Sequence, residues 1–321
     1  MERGAGELFS VPDPDGFRRM MRDSKPVSLK DKRMDEHEAV SKLVKEGDYV
    51  ATDMYGMVRG PMSLVREIVR QRPGKLAIAG QGGMEVDMLV ASGLVERIDG
   101  IYIGHEVFGL SSSYRRAAES GSVRITEWTN AALAWRLKAA AMGIPYIPTR
   151  TMLGTDTFKR SAAAVGECPF TGKRLCLLPA LQVDVGIVHV HRCDRAGNAQ
   201  IDGTAGLGPD LARASKKLIL STEKVVPEGA IRRQPERTLI PHYIVDAVVE
   251  APFGAHPGEM CYEYAMDRPR VGEYLEAMKT KEACREYLDR YVRGVKSHEE
   301  YLELIGGSKK MMELVRQCRG R

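Results

Sequence analysis

The sequence predicts an α/β protein built on an open, mostly parallel sheet with helices on both faces and a helical C-terminal tail. Three observations point there. Short apolar, strand-like runs alternate with helical patterns from Asp35 to Val190, the order that builds parallel sheets covered on both sides. The run Val183–Val190 (VDVGIVHV) is almost continuously apolar, as suits a strand buried on both faces. From Val271 onward the pattern is helical, with Tyr274, Leu275 and Met278, then Tyr287 and Tyr291, then Leu302 and Ile305.

Residues 1–33 carry Pro12, Pro14, Gly16 and Pro26 among many charges and read as an N-terminal extension; 34–270 form the main domain and 271–321 a C-terminal helical segment. A helix begins at Asp35, with Ala39, Val40, Leu43 and Val44 on one face and Gly47 as its stop. Asp48–Met54 reads as a strand. Pro61 suits a first helical turn, Leu64, Val65, Ile68 and Val69 follow, and Pro73 ends the pattern. Leu76–Ala79 is a strand running into Gly80-Gln81-Gly82-Gly83, with a helix over Glu85–Ala91. Ile98–Ile103 is the next strand, Ser112–Glu119 a helix and Val123–Trp128 a strand. Thr129 caps the helix Ala131–Met142, which Gly143 closes. Pro145–Pro148 starts an extended segment. Residues 150–180 show no period, and a loop that long is more often functional or interfacial than idle. Leu218–Leu220 and Ile244–Val249 are strand-like.

Composition narrows the function. The 321 residues hold 48 basic and 43 acidic side chains, a net charge of +5, which leaves no basic footprint for nucleic acid. No apolar run approaches the roughly 18 residues of a membrane span, and the polar N-terminus lacks a signal-peptide core. Six scattered cysteines without a CxxC pair fit reduced thiols. The expectation is a soluble, cytoplasmic protein.

Several motifs invite chemistry. Gly80-Gln81-Gly82-Gly83 lies between a strand and a helix, where it either cradles a phosphate or makes a tight crossover. Asp99 stands about 20 residues on, as a ribose-binding acid would, but Glu85 replaces the last fingerprint glycine and opposes a pyrophosphate. His189, His191 and Cys193 alternate along one strand, the spacing of three zinc ligands with His256 as a fourth, or of packed polar groups at a strand end. No GxSxG, P-loop or HExxH is present, and Ser111–Ser113 suit a helix cap. Glu127-Trp128-Thr129-Asn130 marks a strand-to-helix change from which side chains reach a cleft. Asn130 there either caps the helix or donates to a developing oxyanion.

With these residues in view, the chain resembles the A (alpha) subunit of family I CoA-transferases of the glutaconate CoA-transferase type. The landmarks, in order, are EGDYVATDMYGMVRGP (46–61), GQGGMEVDMLVASGLV (80–95), AAAMGIPYIP (139–148), LPALQVDVGIVHVHRCDRAGNAQIDG (178–203), IVDAVVEAPFGAHPGEM (244–260) and SHEEYLELIGG (297–307). The likeness covers roughly Asp35 to Gly307. It implies a B-subunit partner in a heterotetramer or larger assembly, with neither nucleic acid nor membrane as partner. It implies a coenzyme A thioester as substrate alongside an acceptor carboxylate, no permanently bound cofactor and no metal. It further implies a glutamate nucleophile from the B subunit, through an acyl-glutamyl anhydride and a glutamyl-CoA thioester; no matching motif occurs in this chain. Asn130 would contact the thioester oxygen. Gly82 and Gly83 would let the ligand approach the backbone, with Asp53, Tyr55 and Glu127 completing the substrate wall. Where relatives carry Gly-Gly-Phe, this chain has Asp53-Met54-Tyr55. Relatives of the same architecture open a ring by hydrolysing a carbon–carbon bond, or decarboxylate a glutaconyl-type acyl-CoA. The ring-opening type implies a glutamate near the position of Asn130, and Glu127 lies nearby.

Overall fold

The computed structural model describes residues 2–53, 56–80 and 82–320, and Met54 and Tyr55 lie outside them. Its first half alternates as the sequence predicts. Helix α1 (Pro14–Ser24) precedes α2 (Glu36–Leu43), β1 (Tyr49–Thr52), α3 (Met62–Gln71), β2 (Leu76–Ala79) and α4 (Met84–Ala91). There follow β3 (Val95–Gly100), α5 (Ser112–Ser120), β4 (Arg124–Glu127) and α6 (Asn130–Met142). Next come β5 (Tyr146–Thr149), α7 (Asp156–Arg160), β6 (Ala164–Glu167), β7 (Arg174–Pro179) and β8 (Val183–Val190). The second half holds β9 (Arg192–Cys193), β10 (Ala199–Gln200), α8 (Gly208–Ala214), β11 (Ser215–Thr222), α9 (Glu228–Arg232), β12 (Thr238–Ile240) and β13 (Ala247–Glu250). The tail is α10 (Arg268–Ala277), α11 (Lys281–Leu288), α12 (His298–Leu304) and α13 (Gly307–Arg319).

Local chemistry sets the helix ends. Asp35 accepts from the Glu38 amide and Thr129 from the Ala132 amide, each satisfying an orphan donor of a first turn. Gly143 closes α6 at φ 69, a left-handed conformation that glycine adopts without steric cost.

Seven strands form one sheet in the order β13-β11-β8-β1-β2-β3-β4, and every pairing in it is parallel. Six of the eight β8 residues are wholly buried hydrophobics or glycine between β1 and β11, which explains their unbroken apolar run. From β1 the chain adds β2, β3 and β4 on one side and later β8, β11 and β13 on the other. The order reverses between β1 and β8, and a crevice opens at the carboxyl ends of strands at such a switch point.

Three expectations change. The strand expected over Ile98–Ile103 is β3, Val95–Gly100, because Val95 pairs with Leu76 and Ile101–Ile103 leave the sheet. Asp99 thus lies within the strand, buried, bound by Trp128 Nε1 at 2.8 Å and Arg136 Nη1 at 2.6 Å, with no face for a ribose. Residues 150–180 are not a loop: they hold α7 and the antiparallel β6–β7 pair, whose sheet includes β5. Only alternate residues of β7, Cys176 and Leu178, are buried there, so the period is carried by two residues and the signal is weak. The N-terminal extension folds back along this sheet, with Gly4, Ala5 and Gly6 amides donating to residues 159–163. The C-terminal helices lie against the α3–α4 side: Tyr274 donates to Asp87 at 2.7 Å and Arg66 reaches His298 at 3.1 Å.

Candidate active-site cleft

The carboxyl end of β1 carries Asp53, wholly buried, whose Oδ2 accepts from Arg59 Nη1 at 2.9 Å. Its Oδ1 accepts from the Leu207 amide at 3.1 Å, while Arg59 also donates to the carbonyls of His189 (3.0 Å) and Ala205 (2.9 Å). Burial pushes the Asp53 carboxyl above its usual range, and Arg59 draws it back. This ion pair ties β1, the end of β8 and the α8 approach together at the switch point. The structure thus makes Asp53 a neutralised clamp, outside the lining of the main cleft. Arg59, its partner, was not singled out from the sequence.

Gly56, Met57, Val58, Gly82, Ile101, Tyr102, Glu106, Asn130, Glu259 and Met266 line a cleft of about 470 Å³. Gly82 passes so close to the Tyr102 carbonyl that a Cβ would stand 1.9 Å from its oxygen, so only glycine fits. At Gly82 the crossover is therefore tight, with the space on its Cβ side filled by the β3–α5 loop. Gly83 is the residue before α4 and is buried. Thr129 performs the cap of α6, which frees the exposed Asn130 amide at the first helical position to face the cleft. Glu127 sits half-exposed at the end of β4 and pairs with Arg160 at 2.8 Å, outside the cleft lining. Of the sequence-derived residues, Gly82 and Asn130 meet in the cleft; Tyr55 lies outside the described residues.

Two carboxylates in the cleft, Glu106 and Glu259, escaped the sequence reading. Glu106 has φ 53, a conformation that costs an L-residue about 1–2 kcal/mol and that tends to persist at functional sites. A charged residue between Gly104 and Gly109, just past the carboxyl end of a sheet strand, was the available signal. Glu259 comes from far along the chain, joined to the β1–α3 segment by a parallel bridge with Val58, and had no local signal.

His189, within β8, and His191 and Cys193, beyond its end, do not form a shared metal face. The strand ends at Val190 and the alternation breaks there. His189 binds Ser221 Oγ and Glu223, each at 2.8 Å. His191 accepts from the Asp202 amide at Nδ1, so its Nε2 carries the proton donated to the Cys261 carbonyl. His256 binds Tyr301 and Asp267 instead. Burial raises the Cys193 thiol to about 12. Among the described residues no group of three His, Cys, Asp or Glu is placed to hold a metal. A larger groove of about 730 Å³ lies between α5 and α11, bordered by Val90 and Ala91 of α4, and no residue from the carboxyl end of a sheet strand lines it.

The Asn130 amide in an open cleft suits the binding of a carbonyl whose oxygen gains charge. Residues 33–251 match the family profile Coenzyme A transferase. The chain is 48 % identical over 319 residues to an uncharacterized protein of Archaeoglobus fulgidus, covering 98 % of this chain and 71 % of that one. It is 30 % identical over 305 residues to the A subunit of glutaconate CoA-transferase from Acidaminococcus fermentans, covering 89 % and 93 %. It is 29 % identical over 289 residues to the cholesterol ring-cleaving hydrolase IpdA subunit of Rhodococcus jostii, covering 86 % and 96 %. The crystal structure of glutaconate coenzyme A-transferase from A. fermentans superposes with a TM-score of 0.86 at 29 % identity, covering 88 % of this chain and 95 % of that one.

Proposed function

The chain belongs to the coenzyme A transferase family, and on that premise we propose that it is the A subunit of a heteromeric CoA-transferase. The enzyme moves CoA between a small mono- or dicarboxylic acyl-CoA and an acceptor carboxylate. The observation that carries this reading is the meeting of Gly82 and Asn130 in one cleft at the carboxyl edge of the sheet. A glutamate supplied by the B partner attacks the thioester carbonyl and the CoA thiolate leaves, giving an acyl-glutamyl anhydride. The thiolate then attacks the glutamyl carbonyl and releases the free acid, which leaves a glutamyl-CoA thioester for the acceptor carboxylate to repeat the sequence in reverse. Each step splits one hard transfer into easier ones. Asn130 donates its amide N–H to the thioester oxygen as that oxygen gains charge.

An exposed apolar loop beside the cleft supports a partner subunit. Val107 is 88 % exposed and Leu110 64 %, on the loop that also brings Tyr102 and Glu106 to the cleft, and apolar exposure beside a site marks an interface. No helix among the described residues is long and apolar enough to cross a membrane, and the proposed site of action is the cytoplasm, in a heterotetramer or larger assembly. The test is to co-express the chain with a CoA-transferase B subunit, follow CoA exchange into short carboxylates, and trap the intermediate with borohydride. Exchange together with a label on a partner glutamate supports the reading; neither, with any short acid, overturns it.

One observation favours a second reading, an acyl-CoA hydrolase that cleaves a carbon–carbon bond. Glu106 stands in the cleft with Asn130, so this chain itself supplies a carboxylate that can activate water. Under that reading Glu106→Gln abolishes hydrolysis and no glutamyl-CoA is trapped.

A further inference from the structure

Glu85, which displaces the last glycine of the strand–helix turn, is used by neither reaction above. It is 1 % exposed, its Oε1 has no hydrogen-bond partner, and its Oε2 lies 3.5 Å from where a Cβ on Gly60 would stand. With Met57, Gly60, Met62, Met84, Ala255 and Gly258 it lines a cavity of about 10 Å³, the room that one water-sized group takes. Met57 also lines the main cleft. Its side chain is unbranched and adaptable, and it lines both spaces.

The chemistry of this cavity is selective. No lysine or arginine stands among its lining residues. Burial lifts the Glu85 carboxyl to about 8, with the carboxylates of Asp53 and Asp87 pushing the same way. At neutral pH the group therefore offers an O–H donor in apolar surroundings. An incoming carboxylate would lose its hydration with no cation to replace it. A plain alkyl end would leave the acid unpaired. An uncharged oxygen satisfies it at no such cost.

We propose that the Glu85 carboxyl is a specificity determinant that hydrogen-bonds an uncharged keto or hydroxyl oxygen on the acyl chain of the bound thioester. The inference rests on the reading of the main cleft as a CoA-thioester site. The direct test is calorimetric titration of the assembled complex with acetoacetyl-CoA, butyryl-CoA and succinyl-CoA at pH 7. Acetoacetyl-CoA binds about 10- to 100-fold more tightly than the other two, the factor expected when one buried donor gains or loses its partner. Glu85→Leu removes the preference, and Glu85→Gln, which keeps a donor, retains most of it. Infrared spectra of the wild type show the carbonyl stretch of a protonated carboxylic acid that is missing from Glu85→Gln and shifts when acetoacetyl-CoA binds. Equal binding of acetoacetyl-CoA and butyryl-CoA, a preference that survives in Glu85→Leu, tighter binding of succinyl-CoA, or a carboxyl band unmoved by acetoacetyl-CoA overturns the inference and leaves the thioester cleft standing. Failure to bind any of the three thioesters overturns the cleft reading, and the inference with it.

Discussion

Glu85→Gln should make this protein more stable, and by an amount that depends on pH. The side chain is fully enclosed and one of its oxygens has no partner. Its carboxyl is raised from 4.5 to about 8, first by burial and then by the charges of Asp53 and Asp87. A carboxyl raised in the fold stabilises fully only below its unfolded value. That contribution is lost as pH rises through 4.5 toward 8, because ionisation then favours the unfolded chain. At about 1.36 kcal/mol per pH unit, the loss reaches about 3 kcal/mol at pH 7 and about 5 kcal/mol above pH 8. Glutamine keeps the shape without the titration. The gain of the variant over wild type should therefore grow by about 3 kcal/mol between pH 4.5 and 7, about 6 °C in melting temperature for a chain of this size. Urea unfolding of both proteins across pH 4.5–8.5 measures it, and other titrating groups present in both cancel in the difference. Parallel stability curves would refute the reasoning, because they would mean that the carboxyl ionises as it does in water.

Asn130→Ala should lower turnover of the assembled enzyme on the order of 10²–10³-fold, and steady-state assay with any accepted acyl-CoA reads it; a drop below about threefold removes the oxyanion role. Arg59→Met leaves Asp53 buried and unpaired and should cost about 3–5 kcal/mol by urea unfolding, much of which Asp53→Asn restores in the double variant. His256, enclosed with Tyr301, Asp267, Arg66 and Arg270 around it, is held down at about 4, chiefly by burial. A histidine lowered in the fold stabilises fully above its unfolded value of 6.5, so about 3 kcal/mol disappears as pH falls from 6.5 to 4. Comparing wild type with His256→Gln by unfolding across that window checks it, and a flat difference contradicts it.

How much of this was legible beforehand follows from how local each signal is. Strands β2 and β8 fall on their expected residues because their signal is a run of contiguous apolar side chains. Helix α6 is legible from Thr129 to Gly143 because caps act within three residues. Strand β3 was displaced by three residues since Leu94-Val95 and Ile101–Ile103 are equally apolar, and only pairing with β2 chooses between them. In the site, Asn130 and Gly82 were legible singly. Their meeting with Glu106 and Glu259 depends on the sheet order and on the Val58–Glu259 bridge, which no local pattern encodes. The clamp of Asp53 by Arg59 was missed for a different reason: the two are six residues apart with a turn between them, and their pairing depends on burial. The His189, His191 and Cys193 alternation misled because the strand stops at Val190.

The central claim is that this chain forms half of a cleft in which CoA changes carriers by way of a covalent glutamyl thioester. Borohydride treatment of the co-expressed complex, incubated with acyl-CoA and followed by peptide mass mapping, tests it most directly. The account predicts a reduced glutamate on the partner subunit, none on this chain, and far less trapping when Asn130 is alanine. A complex that turns over acyl-CoA with no modified glutamate on either subunit, or with the modification on Glu106, would contradict it.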